Sequence, residues 1–120
     1  IVVLTPYTPQ TRNLIDREQF ELMKRTAVLV NTARGGIVNE AALYEALSSG
    51  RIWAAGSDVF ESEPVSLDHP LLSLPNFVAL PHIGSASIRT RTKMSMLSAD
   101  NLLRALRGEE PEHLLNRNSI

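Results

Sequence analysis

The 120-residue chain has no cysteine, which removes disulfides, thiolate metal sites and a cysteine nucleophile at once. Aromatic residues make up only 5%, and a formal net charge of -1 gives no electrostatic case for nucleic acid or an anionic membrane as partner. No apolar run approaches the roughly 20 residues of a membrane span. The amino end also lacks the basic-then-apolar layout of a secretory signal. Missing too are a G-x-G-x-x-G dinucleotide loop, a G-x-S-x-G nucleophile elbow and any His/Asp/Glu spacing of metal-site type. The expectation is therefore a soluble, cytoplasmic protein, and 43% hydrophobic content suffices for one modest core but not two.

Short apolar runs alternate with helical patterns along the chain. Ile1–Thr5, Ala27–Val30, Ile52–Gly56 and Phe77–Leu80 read as strands of the fully buried, parallel kind. Asp16 with Gln19 forms a capping box for a short helix whose Phe20, Leu22 and Met23 suggest a buried stripe. Asn39 caps a second helix, Glu40–Ser49, with Ala42, Leu43, Ala46 and Leu47 at helical spacing. The segment Asp58–Asn76 holds Pro64, Pro70 and Pro75 and reads as a long, stiff loop. Beyond Gly84 the pattern is helical to about Arg107. This alternation predicts an α/β fold, a Rossmann-like parallel sheet with flanking helices. A chain that enters a buried strand at its first residue is expected to be a piece of a longer protein.

Three residues carry the chemistry. Arg34, Glu63 and His82 each follow a strand, so a parallel sheet gathers them at the edge where such sheets bind ligands. Each has an ordinary explanation alone: a surface arginine, a solvated loop acid, a histidine bonded to backbone. Together, a guanidinium grips a carboxylate through two parallel hydrogen bonds, and an acid beside an imidazole favours its protonated, proton-donating form. Gly35 and Gly36 let the backbone bend and a ligand approach. His69 reads as a packing or capping residue, Trp53 as core or interface, and Met94 and Met96 as helix packing.

Four segments, in order, resemble the nucleotide-binding region of the D-isomer-specific 2-hydroxyacid dehydrogenases. They are Thr5-Pro6-Tyr7-Thr8-Pro9-Gln10-Thr11-Arg12, Val30-Asn31-Thr32-Ala33-Arg34-Gly35-Gly36, Gly56-Ser57-Asp58-Val59-Phe60-Glu61-Ser62-Glu63-Pro64, and Pro81-His82-Ile83-Gly84-Ser85-Ala86. The resemblance implies an NAD(P)-dependent oxidoreductase of small 2-oxo acids. In that reading Arg34, Glu63 and His82 are the catalytic group, while Thr5, Thr32, Ala33, Arg34, Asp58, His82, Gly84 and Ser85 line NAD or NADP. It further implies that residues 1–85 are the carboxyl-terminal half of a dinucleotide-binding domain. Residues 86–108 would be a crossover helix toward a substrate domain and 109–120 a tail, within a homodimeric parent whose isolated segment is inactive. Ser57 departs from the family's usual leucine. Glu63 stands where formate dehydrogenase relatives place glutamine, and the likeness is greatest to glyoxylate/hydroxypyruvate and 2-ketogluconate reductases. Corepressor-like proteins that bind partners under nicotinamide control share the pattern and form the alternative.

Overall fold

Four strands pair in chain order and all run parallel: β1 (Val2–Val3), β2 (Val28–Asn31), β3 (Ala54–Ser57) and β4 (Phe77–Ala79). The structure is a computed structural model that describes residues 1–116. It divides into two compact units, Ile1–Gly84 and a second that begins at Ser85. In the first unit, α1 (Arg17–Leu22) joins β1 to β2 and α2 (Glu40–Ser48) joins β2 to β3. A 3-10 helix, Pro70–Ser73, interrupts the long connection to β4.

Local chemistry accounts for the helix ends. The Asp16 carboxylate accepts from the Arg17 amide at 2.7 Å and also from the Gln19 amide, and the Gln19 side chain accepts from the Asp16 amide at 3.0 Å, completing the expected capping box. Asn39 Oδ1 accepts from the Ala42 amide at 3.1 Å and starts α2. Ion pairs tie α1 to its surroundings: Arg17 pairs with Glu45 of α2, and Glu21 with Arg51 just beyond α2.

The sheet is covered on one face within this unit, which differs from the expectation of strands buried on both. Strand side chains alternate by face, and the registers place Val3, Asn31, Ser57 and Ala79 in one row and Leu29, Ala55 and Phe77 in the next. These rows meet Phe20, Leu43, Leu47, Ile52 and Leu71 in a single apolar cluster. The opposite face leaves Val2, Val28 and Val78 exposed.

Two apolar expectations fail. Leu22 is 86% exposed because two residues turn about 200° around a helix, so it points away from the face on which Phe20 is buried. Trp53 is 68% exposed and is not core: it sits in the bend before β3, where Ile52 turns inward, so the inward parity of Ala55 and Ser57 does not extend back to it.

The second unit holds α3 (Ile88–Leu106), capped by Ser87, whose hydroxyl accepts from the Thr90 amide at 3.2 Å. It has no buried residue, and Met94 and Met96 are exposed rather than packed. Of the expected tail, 109–116 contains neither helix nor strand, and 117–120 lies outside the described residues. Among the described residues no helix is long and apolar enough to cross a membrane.

Leu29→Ala, which empties a site only 1% exposed, should cost roughly 2–5 kcal/mol in a urea titration, and Leu22→Ala should stay within about 0.5 kcal/mol.

Candidate active site

At the carboxyl end of β2, Asn31 shapes the loop that carries Arg34. Its side-chain carbonyl accepts from the Ala33 amide at 3.1 Å and its amide donates to the Arg34 carbonyl at 3.1 Å, folding Thr32–Arg34 into a tight turn. Gly35 then passes directly against the loop after β3. A Cβ at Gly35 would lie 2.0 Å from the Phe60 carbonyl oxygen, so only glycine allows this approach. Gly36 follows at φ +78°. The Arg34 guanidinium is exposed and anchored by one bond, from Nη1 to the Ala33 carbonyl at 2.6 Å. Four of its five N–H donors stay available for a ligand.

Asp58, at the end of β3, is 5% exposed, and its carboxylate is spent on backbone. Oδ1 accepts from the Ile83 amide at 2.8 Å and Oδ2 from the Gly84 amide at 2.7 Å, while its own amide donates to the Asn31 carbonyl at 3.0 Å. The clamp holds the turn after β4 in which His82 takes φ +54°, a left-handed conformation uncommon for a residue with a Cβ. Ser57 donates its buried hydroxyl to the Val59 carbonyl at 2.7 Å, so its departure from leucine introduces no orphaned polar atom.

His82 and Glu63 meet at 2.7 Å, Nδ1 to Oε2, and the other Glu63 oxygen accepts from the Phe60 amide at 2.9 Å. The hydrogen bond from His82 holds the Glu63 carboxyl below the usual glutamate range, with smaller help from the Phe60 amide and the positive charges of His82 and Arg34. Glu63 is thus the acceptor, Nδ1 carries the hydrogen, and Nε2 has no partner among the described residues.

A cavity of about 390 Å³ opens among Tyr7, Arg34, Phe60, Glu63 and His82. The structure therefore brings together the three residues expected to converge. Thr5 and Thr32–Ala33 sit at the same carboxyl edge, after β1 and β2, with the Thr32 side chain exposed. Gly84 contributes its amide to the Asp58 clamp, and Ser85 opens the second unit. His69 caps as expected: Nδ1 accepts from the Leu71 amide at 3.3 Å, and Nε2 lies 3.1 Å from Glu40, whose other oxygen accepts from the Glu61 amide. Glu40 was not singled out in the sequence, yet it braces the loop bearing Glu63. Tyr7 was quoted only within its motif, and its place two residues past Thr5 is the signal that points to this wall. Among the described residues no cluster of three or more His, Cys, Asp or Glu could hold a metal.

A parallel sheet with cationic, carboxylate and imidazole groups at its carboxyl edge defines an α/β domain of the dinucleotide-binding class. The chain belongs to the family described as D-isomer specific 2-hydroxyacid dehydrogenase, NAD binding domain, which matches residues 1–84. It is 55% identical over 109 residues to the glyoxylate reductase/hydroxypyruvate reductase of Homo sapiens, covering 91% of this chain and 33% of that protein. It is 48% identical over 120 residues to glyoxylate/hydroxypyruvate reductase B of Cronobacter sakazakii, covering all of this chain and 37% of that protein. The NADPH-dependent glyoxylate/hydroxypyruvate reductase from Sinorhizobium meliloti, in complex with NADP and malonate, superposes with a TM-score of 0.79 at 44% identity over 86% of this chain and 32% of that one. The chain thus spans about a third of the length of the curated relatives it matches.

Because its folded value is depressed, Glu63 adds stability that is present above the unfolded value of about 4.3 and lost as pH falls through the folded one. Carbon-detected NMR should give a Glu63 midpoint below that reference, and His82→Ala should move it upward. Gly35→Ala should destabilise the chain by roughly 1–3 kcal/mol or more in urea, since the Phe60 backbone must retreat.

Proposed function

We propose that the full-length protein carrying this segment is an NAD(P)-dependent reductase of small 2-oxo acids, of the glyoxylate/hydroxypyruvate type. The observation that carries the reading is the 2.7 Å Glu63–His82 pair on the wall of the cavity that Arg34 shares. Arg34 holds the substrate carboxylate through two N–H groups and sets the keto carbonyl toward His82. Glu63, ionised, fixes the imidazole orientation and stabilises its protonated form, so that His82 delivers a proton to the carbonyl oxygen as the carbonyl carbon accepts hydride. In the reverse direction His82 takes the proton from the hydroxyl. Asp58 serves the same step indirectly, by holding the turn from which His82 projects.

Reduced nicotinamide supplies the hydride when bound. The residues at this edge suit its carboxamide end: the exposed Thr32, Thr5, the Ala33 backbone, and Asp58, whose two oxygens each keep a lone pair after accepting one amide. The proposal extends to a homodimeric, cytoplasmic parent in which residues 86–108 cross toward a substrate domain. Sedimentation of the full-length protein at a monomer mass would remove the dimer.

Assay of the full-length protein with glyoxylate, hydroxypyruvate and 2-ketogluconate, using NADH and NADPH, tests the reading. Arg34→Ala should lower kcat/KM by at least about 100-fold, in line with loss of a charge-assisted bidentate contact. Glu63→Gln should reshape the pH profile of kcat by removing the charge that favours imidazolium. Near-normal turnover of Arg34→Ala would sink the assignment. Tight cofactor binding without turnover of any of the three acids would favour the partner-binding alternative.

A further inference from the structure

Tyr7 stands on the wall of the reactive cavity, and neither the catalytic group nor the expected cofactor contacts account for it. Its position is built rather than incidental. A single side-chain oxygen, Thr11 Oγ1, donates to the Pro6 carbonyl at 2.7 Å and accepts from the Thr8 amide at 2.7 Å, so the peptide groups on both sides of Tyr7 are fixed. The turn is tied to the Arg34 loop by the Asn13 amide, which donates to the Gly36 carbonyl at 2.8 Å. The ring lies over Gly36, where a Cβ would come within 3.0 Å of Cε2 and 3.7 Å of the hydroxyl oxygen. The Tyr7 hydroxyl has no hydrogen-bond partner among the described residues.

We infer that Tyr7 is a specificity-determining residue whose hydroxyl recognises a hydroxyl group on the carbon next to the keto carbon, favouring 3-hydroxy-2-oxo acids over unsubstituted ones. The inference rests on the reductase reading above and deepens it. In that reading the substrate carboxylate belongs to Arg34 and the keto oxygen to His82. The polar atom left over on a 3-hydroxy substrate is its hydroxyl, and the polar neutral group left over on the wall is the Tyr7 phenol. Glu61, also on this wall, is anionic and repels the carboxylate, which keeps the substrate's acid end on Arg34. A phenol both donates and accepts, so it pairs with an alcohol without a change of charge.

Tyr7→Phe keeps the ring over Gly36 and removes only the oxygen, so the test is made in the full-length protein with hydroxypyruvate and glyoxylate under one cofactor. The expected result is a roughly two- to tenfold fall in kcat/KM for hydroxypyruvate, mainly through KM, with glyoxylate changed less than twofold, as for loss of one neutral hydrogen bond. Equal falls for both acids would mean the phenol touches a group they share, and no fall for either would mean it touches neither. Both results overturn the assignment while leaving the reductase reading in place. Absence of turnover of both acids by the unmodified protein overturns the reading and this inference with it.

Discussion

A buried carboxylate ties the site together. Asp58 bonds through its amide to the end of β2, and its carboxylate receives two consecutive amides from the turn after β4. An ionised acid at 5% exposure is tolerable only when such donors replace the water it has lost. The carboxylate thus ties β3 to the turn after β4 and the amide of the same residue ties β3 to β2, so Asp58 joins the ends of three neighbouring strands. His82 rides on the locked turn in a left-handed conformation that few non-glycine residues adopt unaided. Its orientation follows from the clamp beneath it as much as from its partner in front.

The partner in front is Glu63, and the two arrive from different directions. His82 comes from the turn after β4, whereas Glu63 comes from the loop after β3, which Glu40 and His69 hold against the start of α2. Gly35 closes the arrangement by letting the Arg34 loop lie flush with the Phe60 backbone. The electrostatics agree with the geometry: Glu63 is kept ionised by the imidazole, by an amide and by the nearby guanidinium. The exposed Arg34 guanidinium, with four N–H donors free, suits a carboxylate-bearing ligand.

Much of this was legible in the residues. The capping box at Asp16 and Gln19 and the cap at Asn39 appear where their side chains dictated, because capping depends on neighbours within one turn. Convergence of Arg34, Glu63 and His82 also followed, since parallel strands send all their carboxyl ends to one edge. Inward and outward assignments were less legible. Leu22 and Trp53 are apolar by composition but exposed, because Leu22 points away from the face of α1 that buries Phe20 and Trp53 lies in the bend before β3. The strands read as buried on both faces, yet Val2 and Val78 are open, since side-chain chemistry does not say which layers cover a sheet.

By itself the sequence determined what depends on local order: where helices start, that strands alternate with helices, and which ionisable residues stand just past strand ends. Only the tertiary structure decided which atoms meet. Asp58 reads as any acid after a strand until its two oxygens are seen on the Ile83 and Gly84 amides, 25 and 26 residues away. Tyr7 reads as one residue of a turn until Gly36 is found beneath its ring. The reason is that hydrogen-bond partnership and close packing act over a few ångströms in space, and the pattern of residues along the chain encodes those distances only through the fold it produces.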